Sequence, residues 1–126
     1  MRLPKIDMKS VCHPYPETTM FGAVEMSAKK FPDAPAYDFM DKITSFREFM
    51  AKIELAAKAF IAHGIRADDA VTICMPNTPQ AVICLYALNR IGAVANMIHP
   101  LLSANEIKKF VEHVDSKAVI TFDMLY

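Results

Sequence analysis

Three nearly continuous apolar runs, at residues 71–75, 93–98 and 118–122, constrain the fold more than any other feature of this sequence. A short apolar run bounded by turn residues is typical of a strand that is buried on both faces. Two segments with helical spacing of apolar residues separate the three runs. Parallel strands joined by crossover helices cover both faces of such strands. The sequence therefore predicts an α/β fold with the order β-α-β-α-β over residues 69–122.

The two crossover helices have clear start and stop signals. Thr78 can cap the first of them, Pro79 suits its first position, and Gly92 ends it. The second begins at a capping box, Ser103-Ala104-Asn105-Glu106. Both helices are therefore expected to begin just beyond the carboxyl ends of the strands that precede them.

The first part of the chain predicts a helix and a short β-hairpin ahead of the sheet. Thr18 or Thr19 can cap a helix that Pro32 ends. Strands are predicted at residues 36–40 and 43–44, with a tight turn at Asp41-Lys42.

A second capping box, Ser45-Phe46-Arg47-Glu48, opens the most strongly patterned helix, and Gly64 ends it. Its apolar residues recur along one side at helical spacing, so we expect that side to be buried. The residues of this stripe are Phe46, Phe49, Met50, Ile53, Ala57, Phe60 and Ile61.

Composition excludes several classes of protein. The 126 residues amount to one domain, and a hydrophobic content of 53% excludes an intrinsically disordered chain. The 14 Lys and Arg residues balance the 14 Asp and Glu residues, so the basic excess that binds nucleic acid is missing. No apolar run approaches the roughly 20 residues that a membrane span requires, and the first residues lack a signal-peptide core.

Cysteine and histidine usage predicts a cytoplasmic protein without a metal site. The cysteines form no C-x-x-C pair and are interpreted as reduced thiols; they are Cys12, Cys74 and Cys84. The histidines are scattered without the spacing of metal ligands; they are His13, His63, His99 and His113.

Ligands of open α/β sheets bind beyond the carboxyl ends of the strands, which here are Pro76-Asn77-Thr78 and His99-Pro100. Asn77 and Thr78 could hold an anion at the start of a helix, but such residues are more often a turn and a cap. His99 could act as a general base, although no Ser, Cys or carboxylate stands at a recognisable spacing from it. A polar turn residue is the favoured interpretation of His99.

The remaining polar candidates have structural interpretations. Cys74 and Cys84 fall inside a strand and a helix and are interpreted as small buried hydrophobic residues. Asp68-Asp69 is interpreted as a solvated turn and Lys108-Lys109 as a solvated helix face.

Glycines are too few and too far apart for a phosphate-binding loop. The only three are Gly22, Gly64 and Gly92, so neither G-x-G-x-x-G nor G-x-x-x-x-G-K-[ST] occurs. From the residues alone, the sequence predicts an α/β domain and assigns no catalytic, cofactor-binding or metal-binding residue.

The order of short motifs nevertheless resembles the opening of the AMP-forming acyl-CoA synthetases, over about residues 15–122. Each motif alone is weak, whereas six in the correct order and spacing are specific. They are Ala34-Pro35-Ala36 (x-P-A), Thr44-Ser45-Phe46-Arg47-Glu48-Phe49 (T-Y-x-E-L), Gly64-Ile65-Arg66-Ala67-Asp68-Asp69-Ala70-Val71 (G-[IV]-x-x-G-D-x-V), Met75-Pro76-Asn77-Thr78-Pro79-Gln80 (x-P-N-x-x-E), Ala87-Leu88-Asn89-Arg90-Ile91-Gly92-Ala93-Val94 (A-x-x-[KR]-x-G-A-V) and His99-Pro100-Leu101-Leu102-Ser103-Ala104-Asn105-Glu106-Ile107 (N-P-x-x-[ST]-x-x-E-[IL]).

This chain departs from the family pattern at four positions. Phe46 replaces the commoner Tyr, Asp68 stands where Gly is usual, and Gln80 replaces an acid. His99 stands where Asn is usual, and this places the hydrogen bonding of the local turn in question.

The resemblance implies an adenylate-forming enzyme that couples a carboxylate to ATP and then transfers the acyl group from AMP to coenzyme A. ATP, Mg and coenzyme A are thereby implied for a full-length enzyme, and none of them for this chain. The family's phosphate loop ending in Pro-Lys-Gly and its catalytic Lys have no match here, so no catalytic residue is carried over.

The expected organisation is an extended arm at residues 1–17 followed by an incomplete N-terminal subdomain at residues 18–126. A three-stranded parallel sheet is small, since the mean sheet has about 5–6 strands, which indicates a piece of a longer protein. The expected partners are the remainder of the synthetase chain, a small-molecule carboxylate in the full-length enzyme, and a second copy of the fragment. The alternative is a stand-alone, non-catalytic α/β interaction module.

Overall fold

A computed structural model describes residues 16–123, and the elements follow the predicted order. They are α1 (Met20–Lys30), β1 (Pro35–Phe39), β2 (Lys42–Ser45), α2 (Phe46–Ala62), β3 (Ala70–Cys74), α3 (Pro79–Arg90), β4 (Val94–Ile98), α4 (Ala104–His113) and β5 (Ala118–Thr121). Of the predicted N-terminal arm, only Pro16 and Glu17 lie within the described residues. Cys12 and His13 lie outside them.

All four helices begin at the residues that the sequence predicts. Thr19 and Thr78 cap α1 and α3 by accepting a backbone N–H within the first turn. Ser45 and Ser103 form complete capping boxes with Glu48 and Glu106.

The two predicted glycine stops also occur as expected. Gly64 and Gly92 follow α2 and α3 with φ values of +85° and +79°. Glycine adopts this left-handed conformation at no steric cost.

The turn of the β-hairpin lies one residue earlier than predicted. Lys42 belongs to β2, whereas Met40 and Asp41 form the turn with φ values of +52° and +61°. Positive φ at both central residues is the geometry whose twist matches the flanking antiparallel strands. The pairing of β1 with β2 is antiparallel, with Phe39 opposite Lys42.

The predicted parallel sheet is present, with the strand order β4-β3-β5. Val71 in β3 aligns with Ala95 on one side and with Ala118 on the other. The central strand is buried beyond its first residue, as Val71, Thr72, Ile73 and Cys74 are each at most 1% exposed.

The prediction that β4 and β5 are also buried on both faces is wrong. Val94 and Met97 in β4 are 52% and 49% exposed, and Val119 in β5 is 43% exposed. Both strands lie at edges of the described sheet, and none of the residues of α4 is buried. The described elements therefore cover the two outer strands only in part.

Two helices lie on opposite faces of the sheet. Leu85 and Leu88 of α3 pack with Val71 and Ile73 in the main core. Ile107 of α4 approaches Cys74, whose side chain alternates to the other face. β4 lies on one side of β3 and β5 on the other, so the two crossovers run in opposite directions across the sheet. Because right-handed crossovers are the rule, their helices lie on opposite faces of the sheet.

The second core cluster lies between α2, α3, α1 and the hairpin. Phe49, Ile53 and Ala57 of α2 are buried there with Ala87 of α3. The predicted stripe is correct at these positions but too wide, because Ile61 is 48% exposed. Phe60 is partly buried and packs against both core clusters, so it is a link between them and not a fully buried residue.

Candidate functional site

The carboxyl ends of the three parallel strands surround a cavity of about 560 Å³. Segments that follow β3, β4 and β5 all contribute to its wall. The lining residues are Met75, Pro76, Asn77, Met97, Ile98, His99, Pro100, Leu101 and Phe122. This is the location that the sequence predicts for a ligand, and it brings Asn77 and His99 to one cavity.

Thr78 does not face this cavity as an anion donor. Its Oγ1 accepts the Ala81 N–H at 3.4 Å, which makes Thr78 the cap of α3. With Asn77 it lines a smaller hollow of about 200 Å³ against Tyr37 and Phe39 of the hairpin. The interpretation of Thr78 as a cap is confirmed.

His99, at the position where the resembled family usually has Asn, forms a local turn in this chain. The Leu101 N–H donates to His99 Nδ1 at 3.1 Å, two residues along the chain. An Asn side chain makes the same contact in an Asx-turn. In this chain an imidazole nitrogen thus supplies the acceptor that an Asn side chain supplies in an Asx-turn.

A second cavity, of about 340 Å³, lies between α4 and the sheet. Cys74 and Thr121 form its floor, and Ile107 and Lys108 of α4 lie opposite. Thr121 Oγ1 is buried and has no hydrogen-bond partner among residues 16–123. Pro100 lines both cavities, so the loop after β4 separates them.

The two described cysteines are free thiols in apolar surroundings, as the sequence predicts. Desolvation raises the pKa of Cys74 and that of Cys84. A raised pKa lowers the thiolate fraction at neutral pH, and the thiolate is the nucleophilic form. Both side chains therefore fit packing roles.

Asp69 is not a simple solvated turn residue. Its Oδ2 accepts from Lys117 Nζ at 2.8 Å and from the Arg66 N–H at 2.6 Å. These hydrogen bonds hold the pKa of Asp69 below its usual value, with the Lys117 contact as the larger cause. Asp69 joins the turn before β3 to the residue before β5, at the edge of the sheet away from the cavities.

A partly buried chain of polar side chains across the sheet was not predicted. Asn96 Nδ2 donates to Thr72 Oγ1 at 3.1 Å, and Thr72 Oγ1 donates to Ser116 Oγ at 2.9 Å. Ser116 Oγ in turn lies 3.0 Å from the Ala118 carbonyl oxygen. The available signal was a single polar residue inside each of two apolar runs, and only the strand register shows that they meet.

Lys108 and Lys109 are exposed on α4, as predicted. Within residues 16–123, no group of three His, Cys, Asp or Glu side chains could hold a metal ion. No helix in the same range is long and apolar enough to cross a membrane.

Comparison with known proteins gives a consistent match. The family described as AMP-binding enzyme matches residues 24–125. Acetyl-coenzyme A synthetase 2 of Saccharomyces cerevisiae is 35% identical over 109 residues, which cover 82% of this chain and 16% of that protein. A long-chain-fatty-acid–CoA ligase of Bacillus subtilis is 27% identical over 113 residues, which cover 90% of this chain and 20% of that protein.

Solved structures show the same fold. The N-terminal subdomain of Klebsiella oxytoca NpsA, in complex with 3-hydroxyanthranilyl-AMSN, superposes with a TM-score of 0.80 at 21% identity. The match covers 83% of this chain and 27% of the NpsA chain. This chain thus spans about a fifth or less of the length of the two synthetase relatives named above.

Proposed function

Because the chain belongs to the AMP-binding enzyme family, we propose that it forms the opening part of the large N-terminal domain of an acyl-CoA synthetase. The activity proposed for the whole enzyme has two steps. A carboxylate oxygen attacks the α-phosphorus of ATP and pyrophosphate leaves, which gives an acyl-AMP. The thiol of coenzyme A then attacks the acyl carbon, and AMP leaves.

The composition of the larger cavity carries the proposal that this segment acts as scaffold. None of its nine lining residues is acidic or is a lysine or arginine, and His99 is engaged in a turn. Such a wall can shape an apolar groove at the ligand-binding edge of a sheet. It supplies no fixed charge to balance a triphosphate, which phosphoryl-transfer sites require.

The cofactors proposed for the whole enzyme are ATP, Mg and coenzyme A, and residues 16–123 do not fit the binding of the first two. Oxygen ligands for Mg²⁺ are not clustered in this range. A glycine-rich loop that could cradle phosphates is missing from the sequence. We therefore assign these contacts to other segments of the enzyme and no catalytic residue to this chain.

The partner proposed for this segment is the remainder of the synthetase chain. β4 and β5 each have one edge without a paired strand among the described residues, and Val94, Met97 and Val119 are exposed there. Further strands of a larger sheet would pair with these edges. The helices that connect such strands would cover the exposed side chains on the faces of the sheet. In the chain alone, a second copy is proposed to take this place.

The proposed compartment is the cytoplasm. Cys74 and Cys84 are free thiols among residues 16–123, and free thiols are usual in reducing compartments.

Activity assays of the chain alone and of a chimera test the proposed function. The 126-residue chain is expected to release no pyrophosphate from ATP with any of a panel of carboxylic acids. A chimera in which it replaces the matching segment of the yeast acetyl-coenzyme A synthetase is expected to form acetyl-CoA. Turnover by the chain alone would contradict the proposal, as would a folded chimera that makes no acetyl-AMP. A chimera carrying Ile73→Asp, which places a charge in the buried central strand, serves as the control and is expected to be inactive.

A further inference from the structure

The helix α4 is the most loosely attached of the four described helices. None of its residues is buried, whereas α1, α2 and α3 each bury at least one. None of its residues belongs to or packs against either core cluster. Ile107 and Val111 are only partly buried, and Phe110 is 46% exposed. Burial of apolar surface therefore stabilises the position of α4 less than that of the other helices.

The residues that follow α4 are anchored firmly to the central strand and the turn before it. The Lys117 N–H donates to the Ala70 carbonyl at 2.8 Å, and Lys117 Nζ donates to Asp69 Oδ2 at 2.8 Å. Ser116 Oγ accepts from Thr72 Oγ1 at 2.9 Å. Two successive residues thus fix the end of α4 to the sheet.

The other end of α4 has no such anchor. Among the described residues, the hydrogen bonds of the segment 100–114 all stay within residues 99–116. The capping box of Ser103 and Glu106 stabilises the start of the helix and connects it to no other element. Between α4 and its anchor, Asp115 adopts the left-handed conformation with φ at +48°. Hinges commonly consist of a few residues at the end of an element, as here.

The unanchored end of α4 lies over the cavity of about 340 Å³. Ala104 and Lys108 line this cavity from α4, and Cys74 and Thr121 line it from the sheet. Thr121 Oγ1 is buried there without a hydrogen-bond partner among residues 16–123. Such a hydroxyl destabilises the closed arrangement, because it has lost its hydrogen bonds to water. Water can reach it when the start of α4 moves away from the sheet.

We propose that α4 is a lid that opens at its first turn and swings about residues 115–117. Pro100, in the loop before α4, lines both cavities, so this movement joins them into one groove along the carboxyl ends of the strands. Cys74, which is 1% exposed in the closed arrangement, then becomes accessible to solvent. A helix of 10 residues is marginal in water by itself, so α4 loses helical hydrogen bonds while it is open. The inference is independent of the proposed enzyme activity.

Labelling of Cys74 with a thiol reagent measures the opening. The experiment uses the full 126-residue chain with Cys12→Ser and Cys84→Ala, at a concentration where sedimentation shows a monomer. The labelling rate under native conditions, divided by the rate in the unfolded chain, gives the opening constant. We expect this constant to exceed the global unfolding constant by at least roughly 10-fold, as for a local opening. Amide exchange of Phe110 and Val111 is expected to give the same opening constant.

Two substitutions distinguish a lid from global unfolding. Ile107→Ala removes a contact of α4 beside the cavity and introduces a strong helix former, and it is expected to speed Cys74 labelling roughly 5- to 30-fold. Ile53→Val is the control, because it lowers global stability at the core face of α2, away from the lid. It is expected to leave the labelling rate within about 2-fold of the parent, since distant sites act independently.

A third substitution tests the role of the buried hydroxyl. Thr121→Val replaces it by a methyl group of similar shape and is expected to slow Cys74 labelling roughly 3- to 10-fold, because the closed arrangement no longer buries an unsatisfied group. Labelling that Ile107→Ala leaves unchanged, or that Ile53→Val speeds as much as Ile107→Ala, would overturn the proposal. Amides of α4 as strongly protected as those of α2 would also overturn it.

Discussion

At Asp68 the backbone adopts the left-handed conformation, with φ at +67°, just before β3. The resembled family usually has glycine at this position, and the structure gives the physical reason. The Asp68 N–H donates to the Gly92 carbonyl at 2.9 Å, and this contact ties the turn before β3 to the turn before β4. A residue with a Cβ occupies this conformation at a cost of roughly 1–2 kcal/mol, although Asp tolerates it better than most residues.

Asp68→Gly is therefore expected to raise the free energy of unfolding by about 0.5–1 kcal/mol. Glycine removes the strain of the left-handed conformation from the folded state. This gain is expected to exceed the free-energy cost of the extra backbone entropy that glycine loses on folding. Denaturant unfolding measures the difference. Asp38→Gly, at an exposed position in the extended strand β1, is the matched control and is expected to lower stability. An equal loss in both variants would show that the left-handed strain at Asp68 is negligible.

Single residues also mark where sequence reasoning reaches its limit. The position of His99 at a strand end follows from the apolar runs, but its bond to the Leu101 N–H depends on the ring orientation. Phe60 has the correct spacing for burial, yet it lies at the end of α2, where neighbouring elements cover it only in part. Periodicity states which side a residue faces and does not state how much protein covers that side.

At the scale of the element, start signals were predicted most reliably because they depend on residues within one turn. Each helix cap needs only a hydroxyl and an amide three residues away. The hairpin turn was misplaced by one residue because Met40-Asp41 lacks the Asn-Gly or Asp-Gly signal of such turns. Its position is fixed by pairing between the two strands, which a local pattern does not contain.

The register of α2 predicts a steep difference between two nearby substitutions. Ile53 is 0% exposed and Leu55 is 71% exposed. Ile53→Ala is expected to cost about 2–5 kcal/mol, because it removes methyl groups from a packed core and leaves a cavity. Leu55→Ala is expected to change stability by less than about 0.5 kcal/mol.

Phe60→Ala completes this series. Replacing a fully buried phenylalanine by alanine lowers the free energy of unfolding by about 3–5 kcal/mol. For Phe60 we expect a smaller loss that still exceeds about 1 kcal/mol, because the side chain is partly buried and packs against both core clusters. Denaturant melts of the three variants give the order. A Leu55→Ala loss as large as that of Ile53→Ala would contradict the register.

The two capping boxes make part of the stability pH-dependent. Hydrogen bonds from the backbone and side chain of Ser45 lower the pKa of Glu48 from its ordinary 4.5, and those of Ser103 do the same for Glu106. The folded state therefore binds these protons less readily than the unfolded state. The resulting stability is present above pH 4.5 and declines as the pH falls through the lower pKa values of the folded state.

Replacing Glu48 and Glu106 together by Gln is expected to reduce this loss of stability at acidic pH. Gln keeps a capping oxygen but does not titrate. Unfolding free energies measured from about pH 6 to pH 3 are expected to fall less steeply in the double variant than in the parent. Asp69, whose pKa is also lowered, is present in the parent and in the double variant, so part of the pH dependence of stability remains in both proteins. Identical slopes would show that the capping boxes do not carry the pH dependence.

At the scale of the whole molecule, the sequence predicted the order of helices and strands along the chain but not how far the sheet is covered. Apolar runs at 93–98 and 118–122 indicated burial on both faces, and the structure instead leaves Val94 and Val119 half-exposed. The second cavity was not predicted either, because it needs Cys74, Thr121 and α4 to meet on one face. That meeting follows from the hand of the crossovers and the order β4-β3-β5, which no local pattern states.

The open sheet predicts that the chain alone self-associates. Both outer strands present unpaired backbone N–H and C=O groups among the described residues, and such groups are a template for pairing with another chain. In a full synthetase the same edges would be covered by further segments. In the isolated chain we expect a second copy to cover them, and cover by the chain's own N-terminal arm is the alternative. Sedimentation equilibrium over a concentration series is expected to show a dimer, most simply with two-fold symmetry.

Val119→Lys is expected to shift this equilibrium toward monomer, because it places a charge on β5 where the second copy would pack. Ile43→Lys provides the matched control: Ile43 is 61% exposed but lies in the hairpin, away from the sheet, so association is expected to persist. A parent chain that stays monomeric at high micromolar concentration, and that binds no hydrophobic dye, would show that the half-exposed faces of β4 and β5 are tolerated in water. If Val119→Lys and Ile43→Lys reduced association equally, the effect would not depend on β5, and the contact between copies would lie outside the sheet.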